Sequence, residues 1–141
     1  MIETIIKATV SFCEHQLAKI CTQDKSQCLQ SLFIADMDIL DANSKVQISI
    51  GITQSMLQNI NMIFLDEADS SKEELTNMLL EVTNMIVGSA KVLMQSKQGG
   101  ERFISVPRFK KYGLLSYKDA NGITLRADCG CMVICAKDIY E

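Results

Sequence analysis

Between Ser71 and Gly100 the apolar residues recur every three or four positions, which predicts one helix from about residue 72 to about residue 96. Ser71 followed by Glu74 is a capping-box pattern and marks the start. "KQGG" supplies glycines suited to the left-handed backbone that closes a helix. Leu75, Met78, Leu79, Val82, Met85, Ile86, Ser89 and Leu93 gather on one side as a core stripe, and a sheet is its expected cover. Asn77, Glu81, Asn84 and Gly88 gather on the other side, because steps of three and four stay on one face.

The flanking sequence predicts the sheet. Ile2, Ile5, Ile6, Val10, Cys13, Leu17 and Ile20 suggest a first helix over 2–20, and "CTQDKSQC" a polar connection. Residues 31–40 read as a strand of mixed burial. Residues 45–52 alternate Val46, Ile48, Ile50 and Ile52, so the two form a hairpin across "DANS". Thr53 is placed to cap a second helix over 53–65. The acidic stretch 66–71 reads as a loop that solvates the next helix start. Beyond the long helix, strands are expected at 102–106, ending at Pro107, and at 112–118, 123–129 and 131–139, with Asn121-Gly122 turning a hairpin. The fold class is α+β: a single domain over 1–141, with helices covering a mostly antiparallel sheet.

Composition removes several classes of function. A net charge of −3 argues against nucleic-acid binding. No apolar run reaches the roughly 18 residues of a membrane span, and Glu3 and Lys7 interrupt the N-terminal apolar residues, so no signal peptide and a cytoplasmic location are expected. The six cysteines include no C-x-x-C pair and His15 is the sole histidine, so buried thiols are expected and no metal site. The apolar "CGCMVIC" (129–135) could form a sheet edge that pairs with another chain.

The polar stripe of the long helix is compatible with a merely solvated face, since side-chain directions permit a site without requiring one. Its spacing goes further. Glu81 and Asn84 are three apart, and Pro107, the only proline, follows Asn84 after twenty-two intervening residues. In this pattern, and in the text "EVTNMIVGSAK", the chain resembles the CheC/CheX/FliY phosphatases of bacterial chemotaxis, the CheX branch above all. Their signature has Asp or Ser four residues before the glutamate; here that place holds Asn77. The first helix offers "EHQL" (14–17), with Leu17 where a second active helix would carry asparagine, so one site is expected.

The resemblance implies a hydrolase whose substrate is a phosphorylated, CheY-like response-regulator receiver domain. Mg²⁺ sits on the receiver, and no cofactor is bound by this chain. Asn84 would orient the hydrolytic water, because a carboxamide both donates and accepts hydrogen bonds. Glu81 would pair with the receiver's lysine. Asn77, Gly88 and Pro107 would contact the partner, Gly88 by leaving room for its surface. The resemblance also implies a homodimer built by extending the sheet. The alternative is a module of the same fold that binds a receiver without hydrolysing it; a cysteine-based redox sensor rests on the cysteine count alone. The basic residues of "RFKKY" (108–112), with Arg102 nearby, would steer an acidic partner toward the helix, or simply solvate a strand end.

Overall fold

The computed structural model describes residues 2–24, 26–67, 69–118 and 121–139. In chain order the elements are α1 (Ile2–Ser11), a turn of π-helix (Phe12–Gln16), β1 (Thr22–Asp24), β2 (Leu32–Leu40), β3 (Lys45–Ile52), α2 (Gln54–Leu65), α3 (Lys72–Gln98), β4 (Phe103–Ile104), β5 (Arg108–Gly113), β6 (Gly122–Ala127) and β7 (Gly130–Ile139). The strands form one seven-stranded sheet in the order β1-β6-β7-β3-β2-β4, with β5 also paired to β2. Every pairing is antiparallel. The architecture is α+β, as the hydrophobic patterning predicts.

The three helices lie on one face of the sheet. Ile5, Leu57 and Leu79 pack there on Phe33, Ala35, Met37 and Ile39, which alternate along β2. The opposite face is covered by loop residues: Cys28 and Leu115 pack on Leu32, Ile34, Cys131 and Val133. Gly51 of β3 permits this close cover, since a Cβ there would meet Leu32 Cδ1 at 2.8 Å. With both faces covered, β2 is buried from Leu32 to Ile39, where mixed burial was expected.

α3 runs 27 residues, two beyond the expected end. Its capping box is complete: the Glu74 backbone N–H donates to Ser71 Oγ and the Ser71 N–H to Glu74 Oε1. Gly99 and Gly100, at φ 70° and 78°, end it.

Several local expectations are corrected. The first helix stops being regular at Ser11, continues as the π-turn, and leaves Ile20 at 87% exposure, outside the core stripe. Part of the polar connection after it forms β1, which pairs with β6. Thr53 precedes α2 but makes no side-chain cap; its Oγ1 accepts from the Cys131 N–H at 3.2 Å. Residues 114–118 are not strand, whereas Arg108–Gly113, directly after Pro107, are. The expected hairpin between 112–118 and 123–129 is replaced by β6–β7, turned at Asp128 and Cys129 with Gly130 at φ 144°. Residues 119 and 120 of the expected turn lie outside the described residues. β7, with "CGCMVIC" at its start, is flanked by β3 and β6 and is no edge.

Candidate functional site

α3 touches the sheet, α1 and α2, so most of its circumference is covered. Thr83, Val87, Ala90 and Met94 join the expected stripe in burial, while Ser89, assigned to that stripe, is exposed. Thr83 tolerates burial because its hydroxyl donates to Leu79 O at 2.7 Å. A narrow arc is left to solvent, and it carries Asn77, Glu81 and Asn84, all exposed, with Gly88 half-buried. Leu17, the counterpart position on the first helical segment, is buried, so that segment presents no similar arc.

The arc faces the segment that follows α3. Asn77, Leu80, Glu81 and Asn84 form one wall of an open groove of about 460 Å³, and Ile104, Ser105, Val106 and Pro107 form the other. Tertiary structure thus brings Pro107 beside Asn84 across twenty-two residues of chain. Among the described residues, neither the Asn84 nor the Glu81 side chain has a hydrogen-bond or ion-pair partner. Both termini of the Asn84 amide are available to a visitor. A Cβ added at Gly88 would meet no neighbouring atom within 4 Å, so the surface there is low.

The second wall is held by contacts the sequence pattern did not anticipate. Asp38 of β2 is buried; the Arg108 guanidinium donates to both its carboxylate oxygens at 3.2 and 3.3 Å. Lys45 lies 3.6 Å from the same carboxylate. Ser105 Oγ accepts from the Asp38 N–H at 2.8 Å, and the Ser105 N–H donates to Asp38 O. Arg102 ties the incoming chain to the end of α3: its N–H donates to Gln95 Oε1 and its guanidinium to Gly99 O and Gln98 Oε1. Two acids within the apolar run "LFIADMDIL" were the signal, because a buried carboxylate requires a cation or donors. Asp36 follows the same rule, accepting from Ser49 Oγ at 2.6 Å, with Lys110 Nζ 3.9 Å away. Arg108 and Lys110 thus have acidic partners within the fold while their side chains stay about half exposed.

The cysteines cluster elsewhere. Cys28 and Cys131 place their sulfurs 2.8 Å apart under the loop cover. Burial pushes the Cys131 thiol up to about 12, and the Cys129 and Cys135 thiols also rise, chiefly by burial. A hydrogen bond to Cys21, and burial, raise Cys13. Among the described residues no three histidine, cysteine or acidic side chains converge as a metal site requires. No described helix is long and apolar enough to cross a membrane.

No protein-family model matches the chain, and no curated protein is similar to it in sequence. Solved structures are similar in fold over almost the full length. The chemotaxis protein CheX from Vibrio vulnificus superposes with a TM-score of 0.79 at 16% identity, covering 96% of this chain and 95% of that one. The fold is that of CheX and CheC-like proteins. A CheC-like superfamily protein from Shewanella sp. PV-4 gives 0.74 at 21% identity, covering 96% of each chain. CheX from Borrelia burgdorferi, solved in a complex with CheY, BeF₃ and Mg²⁺, gives 0.68 at 15% identity, covering 99% of this chain and 97% of that one.

Proposed function

We propose that this CheX-like chain removes the phosphoryl group from the aspartyl phosphate of a CheY-like receiver domain. The observation that carries the proposal is the Asn84 carboxamide: exposed, unpartnered among the described residues, one turn from Glu81 and on the wall of an open groove. The complex of Borrelia CheX with CheY gives such a partner a precedent on this fold.

An acyl phosphate on a receiver already has Mg²⁺ and a lysine beside it, both belonging to the receiver. What is missing is a water held in line with phosphorus. The Asn84 side chain accepts a hydrogen bond through Oδ1 and donates through Nδ2, so it orients that water without adding negative charge to an anionic transition state. The water oxygen bonds to phosphorus, the bond to the aspartate oxygen breaks, and inorganic phosphate leaves with the aspartate carboxylate restored. Glu81 binds the receiver's lysine and sets the register of α3 in the partner's active site. Asn77, Gly88 and Pro107 complete the contact: Gly88 by its low profile, Pro107 by its fixed φ at the end of the opposite wall. The reaction terminates a chemotactic signal and belongs in the cytoplasm.

Phosphate release from phosphorylated receiver in Mg²⁺ is the direct test. Asn84→Ala should lose on the order of 10²-fold in kcat, the usual penalty for a misplaced reactant, while receiver binding persists. Wild-type turnover by that variant would overturn the assignment. Asn77, where the family signature has Asp or Ser, favours a second reading as a receiver-binding module without hydrolysis. Tight binding with no phosphate release by the wild type would establish it instead. The resemblance further implies a homodimer; β5 is exposed along Arg108–Tyr112 and, among the described residues, pairs only with β2, leaving an edge open to a second copy.

A further inference from the structure

A second groove runs along the other side of the Asn77–Glu81 ridge, between the end of α2 and the start of α3. It encloses about 410 Å³ and its floor is apolar: Phe64, Leu65, Met78 and Met85. Phe64 is set in place by edge-on contact with Phe12 at 6.2 Å. Leu65 is 54% exposed, a large apolar side chain left uncovered at the mouth. Asp66, in left-handed conformation at φ 55°, closes α2 by donating its N–H to Met62 O and so fixes the corner that frames the groove.

The rim is acidic. Glu67, Glu74 and Glu81 all line it. The neighbouring Glu74 carboxyl raises Glu67 above the usual carboxylate range. None of the ion pairs among the described residues involves any of the three. Glu74 is committed to the capping box through the Ser71 N–H, but no described cation pairs with Glu67 or Glu81, and an apolar floor with such an acidic rim is complementary to a segment that carries an apolar side chain beside a cation. The groove also shares Asn77 and Glu81 with the first groove, so a partner seated over the motif stripe is bound to meet it.

We propose that this second groove is the specificity pocket for the receiver, taking an apolar side chain from a receiver segment that also presents a lysine or arginine to Glu67. The inference rests on the reading of α3 as a receiver-docking helix, and it assigns to Leu65 and Glu67 a role in choosing the partner but none in hydrolysis. Receivers lacking a cation in that segment are rejected because Glu67 would then be covered without a counter-charge.

The test is binding of receiver domains held in the activated form by beryllofluoride and Mg²⁺, beside turnover of the phosphorylated receivers. Glu67→Lys and Leu65→Gln, both at exposed positions, should each weaken binding roughly five- to tenfold, with kcat at saturation unchanged. The Glu67→Lys variant should also lose part of the salt dependence of the wild type. A receiver whose cation is reversed to glutamate should bind Glu67→Lys better than wild type. Unchanged affinity in both variants, with Asn84→Ala still inactive, would overturn the pocket and leave the phosphatase reading standing. Weakened affinity in both, with full activity in Asn84→Ala, would support the pocket and remove the catalytic role of Asn84.

Discussion

An alanine methyl built at Gly88 would meet no atom within 4 Å beyond its own stretch of helix. For the helix alone, Gly88→Ala should therefore be favourable by about 1 kcal/mol, the propensity difference between the two residues. The methyl would stand on the stripe that meets the partner. We expect urea unfolding to show the gain in stability and receiver dephosphorylation to show a raised KM, the two moving in opposite senses. A solvated face with no partner would give the first effect without the second. Asn84, Glu81 and Gly88 were legible as a group because helical phase is a local property: three- and four-residue steps fix their common side. Asp38 and Arg108 were not, since they meet across seventy residues of chain; only the unease of acids in an apolar strand hinted that something had to meet them.

At the scale of elements, the groove depends on two short strands being held against β2. β4 contributes two paired residues, Ile104 to Ile39 and Phe103 to Leu40, which is little ladder to position a wall. The Arg108–Asp38 fork and the Ser105 bonds supply the rest. In Arg108→Ala, the buried Asp38 carboxylate keeps, among the described residues, only Lys45 as counter-ion. Stability should fall by about 1 kcal/mol, a modest value because the Arg108 side chain is half open to solvent. The sharper expectation is kinetic: the receiver should bind more weakly while kcat at saturation stays near wild type, because α3 itself is undisturbed. A loss in kcat equal to that of Asn84→Ala would show instead that the wall takes part in the chemistry.

For the whole molecule, the sheet is also thin at its β1 margin, three residues paired to β6. Asp24 fastens it. Its carboxylate accepts from the Ser26 N–H at 2.9 Å and from Arg126 Nε at 3.0 Å, and these donors, Ser26 first, hold it down at about 2. A carboxyl depressed by folding stabilises the protein above its unfolded value of about 4 and loses that contribution as pH falls through the folded value. Asp24→Asn should thus melt below the wild type at neutral pH, with the gap narrowing toward about pH 2. A gap that is constant with pH would mean that the ionised carboxylate is not what matters. This margin was missed in the sequence because "TQD" is too short and too polar to show alternation. The 112–118 strand was misplaced for a related reason: "YGLLSYK" has the apolar content of a strand, but its Leu115 is used to cover the outer face of the sheet.

By itself the sequence determined the helix that carries the motif: its cap at Ser71, its glycine stop, its buried face and the polar residues opposite. Those are decided within a few residues of each position, by backbone geometry and by the need to hide one side from water. It also determined that strands would flank that helix, since a period of two is equally local. Only the tertiary structure decided which strands are neighbours, that β7 lies inside the sheet, and that Pro107 stands across a groove from Asn84. Strand order depends on contacts between residues far apart in the chain, and alternation says which way a side chain faces but never what lies beside it.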